Sequence, residues 1–181
     1  SADDVFILTV VNTNDAPTVT SAIADVSTAE DAAYSLDVSS MCTDVDVGDS
    51  LAYTMSGAPS TLSISSGTIS GTPLNADVGA HTITVTCTDD SSAAASASDS
   101  FDLTVVNTND APTVSTAIAD TSIAEDATTL SLSASFAEVD VGDTLTYTMS
   151  GCPSTISIDS STGAITGTPL NADVGASTCI V

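Results

Sequence analysis

The sequence predicts an all-β chain of two tandem Greek-key β-sandwich modules, the second lacking its last strand. Three observations lead there. The stretch Asn12-Thr13-Asn14-Asp15-Ala16-Pro17-Thr18-Val19 recurs letter for letter from Asn107 to Val114, 95 residues on, which is the size of one small β-domain. Between the copies lie about seven short apolar-alternating runs separated by Gly, Pro, Asn and Asp turns. No segment carries helical periodicity over a helix's length. The boundaries that follow are an N-terminal strand over 1–11, a first repeat over 12–106 and an incomplete second repeat over 107–181.

The first run, 1–11, reads as a strand because it matches 96–106, where Phe101, Leu103 and Val105 alternate with Asp102 and Thr104. The copy keeps Phe6, Leu8 and Val10 but adds Val5 and Ile7 on the opposite face, the pattern of a strand covered on both sides. After the Asn-Thr-Asn-Asp-Ala-Pro stretch, 17–27 reads as one weak edge strand and Tyr34 to Cys42 as a second strand. Glu30-Asp31 forms the turn between them. Asp44-Val45-Asp46-Val47-Gly48-Asp49 is a short acidic loop before a strand over Leu51 to Met55. Two short strands flank Ser65-Ser66-Gly67, Pro73 to Gly79 is a loop, and His81 to Thr88 and Asp99 to Val106 complete the sandwich. The second module repeats this order through Glu138-Val139-Asp140-Val141-Gly142-Asp143, a strand over Leu145 to Met149, and Pro169 to Gly175.

Val181 aligns with Val85 and Ser1 with Ser96, so the second module stops short of its final strand while an unclaimed copy of that strand stands at the N-terminus. Two readings fit. Val5, Phe6, Ile7, Leu8 and Val10 complete a neighbouring molecule's second module by strand donation, or the chain is a window on a longer tandem array. Either gives a linear fibre.

Composition narrows the function classes. There is no Lys or Arg against 24 acidic residues, a formal charge of −24. Binding nucleic acid through a basic patch is excluded, and docking on anionic lipid by charge is disfavoured. The positive partner has to come from solution, and a divalent cation is the economical choice, beside the plainer role of acidity in keeping a surface soluble. No apolar run reaches the roughly 20 residues that span a membrane, so no membrane insertion is expected. No basic n-region of a signal peptide is present either. The four cysteines follow no Cys-x-x-Cys pattern and there is one His, which argues against zinc and for disulfides in an oxidising compartment.

The chain resembles the cadherin-like superfamily, and within it the dystroglycan-type cadherin-like and putative Ig repeats of microbial surface proteins. The residues that carry the resemblance are Asn-Thr-Asn-Asp-Ala-Pro at 12–17 and 107–112, Ala-Glu-Asp at 29–31 and 124–126, and Asp-Val-Asp at 44–46. Gly71-Thr72-Pro73, Gly167-Thr168-Pro169 and Thr86-Cys87-Thr88-Asp89 complete the set. The resemblance implies Ca²⁺ at the joints between modules, where three converging segments supply the roughly 6–8 oxygens the ion takes. Carried over by position, the middle joint uses Glu30 and Asp89 from the first module, Asn107, Asn109 and Asp110 from the linker, and Asp140 with Glu138 from the second. The leading joint uses Asn12, Asn14, Asp15, Asp44 and Asp46, and Glu125 serves the trailing one. The family's Leu-Asp-Arg-Glu motif is absent, Asp77 being a loose match, so one or two ions per joint are expected rather than three.

Cys42 and Cys87 fall on the second and sixth strands, the pair that immunoglobulin domains bridge, which points to Cys42–Cys87. For Cys152 and Cys179, a bridge between adjacent strands and two buried thiols are equal alternatives, and pairing between subunits stays open. No nucleophile-elbow motif and no Ser–His partnership repeated in both modules argues for catalysis, so no enzyme is expected. The expected role is a subunit or segment of an extracellular, cell-surface filament, a linear homopolymer of copies of itself stiffened by Ca²⁺. The alternative is an adhesin or carbohydrate-binding repeat meeting other cell surfaces or glycans.

Overall fold

The computed structural model describes residues 3–91, 93–127 and 130–181. The chain folds as two compact units, Ser1–Thr108 and Asn109–Val181.

Unit 1 is a β-sandwich. Its strands are β1 (Thr18–Val19), β2 (Val26–Ala29), β3 (Tyr34–Asp37), β4 (Cys42–Thr43), β5 (Ala52–Ser56), β6 (Leu62–Ser65), β7 (Thr68–Gly71), β8 (Gly79–Thr88) and β9 (Ser96–Val106). A 3₁₀ turn, Asn75–Asp77, precedes β8. One sheet runs β2-β9-β8-β5, the other β3-β7-β6, and β1 pairs with β4. β9 lies in the middle, parallel to β2 with Val26 beside Leu103, and antiparallel to β8 with Ile83 beside Phe101. Strict alternation sends Ile83, Val85, Cys87, Phe101, Leu103 and Val105 inward, all at 2% exposure or less. They meet Val38, Met41, Cys42, Leu62 and Ile69 in one core. The Cys42–Cys87 disulfide ties β4 to β8 inside it, with Cα atoms 6.6 Å apart.

Two expectations are corrected here. The single strand expected over 17–27 is two, because the chain changes partner in between. The Ile23 amide donates to Asp99 Oδ2 at 2.7 Å, and Asp25 Oδ1 accepts from the Asp102 amide at 2.8 Å. These carboxylates meet backbone donors at the crossover from β4 to β9. The strand expected over Tyr34 to Cys42 likewise divides at Ser39, whose amide donates to Asp37 Oδ1 at 2.9 Å. In the single chain, residues 3–11 pair with no strand and are exposed. Phe6 is 83% and Leu8 75% exposed, whereas their sequence counterparts Phe101 and Leu103 are 2% and 0%.

Unit 2 contains β10 (Thr113–Thr116), β11 (Leu130–Ser133), β12 (Ser135–Ala137), β13 (Ile156–Ile158) and β14 (Ala164–Gly167), with a second 3₁₀ turn at Asn171–Asp173. Its β11-β14-β13 sheet reproduces β3-β7-β6, and β10 pairs with β12 as β1 does with β4. The other sheet is reduced, among the described residues, to one bridge in which Ser150 and Ile180 exchange hydrogen bonds of 2.8 and 2.9 Å. The strand expected over Leu145 to Met149 therefore forms no ladder there. A disulfide joins Cys152 to Cys179 with Cα atoms 4.8 Å apart. Among the described residues, only Ala134 and Ile165 are buried apolar side chains of unit 2, against eleven in the core of unit 1.

If β9 closes unit 1 as its burial says, Phe101→Ala should cost about 3–5 kcal/mol of unit 1 stability. Chemical denaturation followed by near-ultraviolet circular dichroism measures it, and a loss below about 1 kcal/mol would contradict the packing.

Candidate functional site

The acids of the first repeat collect at the end of unit 1 where β8 stops and β9 begins. Pro17, buried, anchors the chain there, and the residues before it fold over the acidic loop. The Asp15 amide donates to Asp46 Oδ2 at 2.7 Å, while Asn14 Nδ2 donates to Asp89 Oδ2 at 3.1 Å. Asp46 is 8% exposed, and its own amide donates to Asp44 Oδ1 at 2.9 Å. Gly48, at φ 106°, then reverses the loop, a backbone position that a side chain would strain. That turn brings Asp49 back, so that Asp44, Asp46 and Asp49 each offer an oxygen within 4.8 Å of the others. Asp44 Oδ2 is buried with no hydrogen-bond partner. Three converging carboxylates, one oxygen of them orphaned, fit a hard divalent cation better than they fit one another.

The electrostatics have the same sense. Burial raises the Asp49 carboxyl above the usual carboxylate range, and the charges of Asp90, Asp46, Asp44 and Asp89 add to it. Asp89 is lowered instead, by the Ser91 hydroxyl first and the Asn14 amide second, and Asp90 by the Ser50 hydroxyl and amide. Hydrogen bonds thus hold some acids ionised beside one that resists ionising.

Unit 2 repeats the pattern. The Asp110 amide donates to Asp140 Oδ2 at 2.8 Å, and Asp140, 5% exposed, has its own amide on Glu138 Oε1 at 3.1 Å. Asn109 Nδ2 turns back on the Asp110 carbonyl at 2.9 Å, as Asn14 does on Asp15 at 3.1 Å. Gly142, at φ 104°, reverses this loop too.

Glu30 marks the opposite end of unit 1. It is 2% exposed; Oε1 accepts from the Thr108 amide at 2.8 Å, and buried Oε2 has no partner. The expectation that Asp89 joins Glu30 is corrected. Glu30 follows β2 beside Val106, whereas Asp89 follows Thr88, which pairs with Ser96 at the other end of β9. About 30 Å of strand separates those ends. Asp89 belongs instead with Asn14. Glu125, the counterpart of Glu30, is exposed and accepts from Asn171 Nδ2 at 2.7 Å. Asn12 and Asn107 are exposed and join neither set of contacts. Asp77 is engaged within its own turn, Oδ2 accepting from Thr61 Oγ1 at 2.7 Å and the Leu74 amide at 3.0 Å. Sequence reasoning missed Asp49, although Val-Gly-Asp follows the paired acids in both repeats and Gly after the pair is the sign of a loop that returns.

A family model described as Putative Ig domain matches residues 16–106 and again 111–181. No curated protein matches. Among solved structures, the chain is similar to protocadherin gamma C5 EC1-3, with 21% identity and a TM-score of 0.53 over 88% of this chain and 59% of that one. It is similar to mouse cadherin-23 EC22-24 at 24% identity and TM-score 0.53, over 81% of this chain and 52% of that one. Drosophila N-cadherin EC1-4 matches at 19% identity and TM-score 0.51, over 90% of this chain and 43% of that one. The chain thus spans about half the length of these structures, and the likeness is one of fold.

Carboxyl NMR titration without divalent ions should place the Asp49 midpoint above, and those of Asp89 and Asp90 below, the ordinary Asp value of about 3.9. The linkage follows in sign. Stability contributed by Asp89 and Asp90 is complete above that value and is lost as pH falls through their depressed midpoints. The cost carried by Asp49 is present above its raised midpoint and disappears as pH falls through it. Asp49→Asn should therefore raise the melting temperature at neutral pH in chelator, and a lowered one would contradict the crowding described.

Proposed function

The chain belongs to the Putative Ig domain family, and from that membership we propose that it is a structural segment of an extracellular, cell-surface fibre whose repeats are joined head to tail and stiffened by Ca²⁺. The observation that carries this reading is the recurrence of one linker contact. In each unit the linker's Asp amide docks on the second acid of the loop, Asp15 on Asp46 at 2.7 Å and Asp110 on Asp140 at 2.8 Å. A connector that repeats with the module is what a linear array requires, and an isolated recognition site has no need of it.

Calcium suits the donor set. The Asp44, Asp46 and Asp49 carboxylates and the orphaned Asp44 oxygen supply hard oxygen ligands, with Asn14, Asp15 and Asp89 beside them. The ion would supply the positive charge that a chain without Lys or Arg cannot. Where the acids repel, the linker is held by single hydrogen bonds; where they are neutralised, it is held by the whole cluster. The buried, partnerless Glu30 Oε2 supports a second point of cation contact at the other end of unit 1. The repeats connect either by donation of the N-terminal strand or by continuation of the array in one polypeptide. The two disulfides favour an oxidising compartment. Among the described residues, no helix is long and apolar enough to cross a membrane. The role is mechanical, with no reaction assigned.

Calcium at about 100 times its dissociation constant should stabilise unit 1 by about 2.7 kcal/mol. Differential scanning calorimetry with and without chelator measures the shift, and Asp46→Asn should remove most of it. A melting temperature indifferent to calcium would sink the stiffening role. Electron microscopy of purified material should show uniform filaments, and dispersed monomers would sink the fibre.

A further inference from the structure

The chain enters unit 1 beside the start of β9, where Asn14 is held on Asp89, and leaves it past Val106 at the other end. Tension along the backbone therefore pulls β2 back toward its own start and β9 forward past its end. These two strands are parallel neighbours, with Val26 beside Leu103 and Ala29 beside Val106. Opposed pulls on parallel neighbours slide one strand along the other, so their cross-strand hydrogen bonds must all stretch together. A hairpin pulled from its open end would instead part its bonds one at a time.

The ladder itself is short, and side chains lengthen it at both ends. Ahead of β2, the Ile23 amide donates to Asp99 Oδ2 at 2.7 Å, and the Asp102 amide donates to Asp25 Oδ1 at 2.8 Å. Beyond β2, the Glu30 amide donates to the Val106 carbonyl at 3.0 Å, and the Thr108 amide donates to Glu30 Oε1 at 2.8 Å. Asp25 and Glu30 on one side and Asp99 on the other thus each hold an amide of the opposite segment. Hydrogen bonds to an ionised acceptor are stronger than neutral ones. All three lie across the line on which the strands would slide.

The Cys42–Cys87 disulfide sets a second limit, closing a loop of 45 residues between β4 and β8. Between Pro17 and Val106 lie 89 residue steps, so 44 of them stand outside that loop. Inside it are β5, β6, β7 and most of β8, with the core side chains Leu62, Ile69, Ile83 and Val85. Tension passes through the bridge and bypasses the loop. No pull on the ends of unit 1 draws that segment out while the bridge stands.

We propose that the β2–β9 pair, with Asp25, Asp99 and Glu30 bonded across it, is a mechanical clamp, and that the Cys42–Cys87 disulfide is its redox-sensitive stop. This rests on the fibre reading, which puts the module under tension. With the disulfide closed, the 44 free steps extend to about 150 Å, a gain of about 120 Å over the folded span of about 30 Å. With it reduced, all 89 steps extend to about 310 Å, a gain of about 280 Å. Reduction thus more than doubles how far the module stretches. Oxidation keeps its central strands looped.

The test pulls single full chains in optical tweezers by azide-bearing residues that replace the exposed Thr13 and Ala111, so that force crosses unit 1. Chelator is present throughout, which keeps the outcome independent of any cation. The total gain in length should be about 120 Å with the disulfide intact and about 280 Å after reduction. A gain of about 280 Å before reduction, or no change upon it, would overturn the stop. At constant force, Asp25→Ala, Asp99→Ala and Glu30→Ala should each speed unfolding by about tenfold. Asp37→Ala removes a carboxylate whose bond to the Ser39 amide does not cross the pair, so the rate should stay as it was. Should an alanine variant fail to fold, Asp→Asn or Glu→Gln at that position leaves a weaker acceptor and should speed unfolding less. Equal rates for Asp37→Ala and the three clamp variants would overturn the clamp. The fibre reading fails separately: dispersed monomers under the microscope reject the fibre and leave both lengths as measured, while other lengths reject the clamp even where filaments form.

Discussion

Closure of the sandwich by one central strand is the constraint on which the rest depends. β9 touches β2 on one side and β8 on the other, and it delivers Phe101, Leu103 and Val105 to the core. Eleven apolar side chains are buried where it is present. Where no such strand lies, as in unit 2, the described chain keeps its β11-β14-β13 sheet but the opposite sheet shrinks to a single bridge. The difference is not one of propensity, because the flanking sequences are close copies. A strand interior to a sheet supplies two ladders at once, so its loss removes the hydrogen bonds of both neighbours along with its side chains. Glu30 shows the same dependence at a single residue. It is buried beneath the backbone that continues from β9, with its Oε1 accepting from the Thr108 amide.

Much of this was legible in the residues. The exact repeat gave the period, and alternation located β8 and β9 because both are long and inward phases such as Ile83, Val85 and Cys87 are unbroken. The paired cysteines at 42 and 87 fell on inward positions for the same reason. What alternation cannot show is a change of partner. Thr18–Val19 and Val26–Ala29 read as one edge strand, since the jump between sheets is made by amide bonds to Asp99 and an aspartate at 25, far apart in sequence from each other. The acids divide likewise. Asp44, Asp46 and Asp15 are brought together as the resemblance to cadherin-like repeats implies, with Asn14 beside them on Asp89, but the resemblance placed Asp89 at the other end, because a position after a strand names no end until the strand's direction in the sheet is known.

The charge imposes the second constraint. With 24 acidic residues and no Lys or Arg, no carboxylate here can find a lysine or arginine partner within the chain. Backbone amides, serine and threonine hydroxyls and asparagine amides take that role instead. Asp159, held down to about 2 by the Ser161 hydroxyl and the Thr162 amide, and Asp173, held by the Leu170 amide and Thr155, are turn acids of this kind. Such bonds position carboxylates but do not cancel their charge. Turns can be built this way because each uses one acid. In the Asp44–Asp46–Asp49 loop three acids converge, and burial first and the neighbouring charges second raise the Asp49 carboxyl.

Charge and strand together bear on how an exposed apolar segment is tolerated. Val5, Phe6, Ile7 and Leu8 in a row, all at least 75% exposed, form the kind of edge that pairs indiscriminately with other chains. Asp3 and Asp4 precede them, and every copy carries the same formal charge of −24, so chains repel before edges can meet. That repulsion is long-ranged and falls off over about 8 Å at physiological ionic strength, whereas apolar burial acts only on contact. On the fibre reading proposed above, such a segment would associate only where burial on contact overcomes the repulsion, or where a cation at the adjoining acids removes part of it. Since Asn14 and Asp15 lie only a few residues beyond Val10, the acidic cluster and the strand share one short tether. On the reading proposed above, a cation at the cluster and the placement of residues 5–10 would be coupled through that tether, because each limits where the other can be.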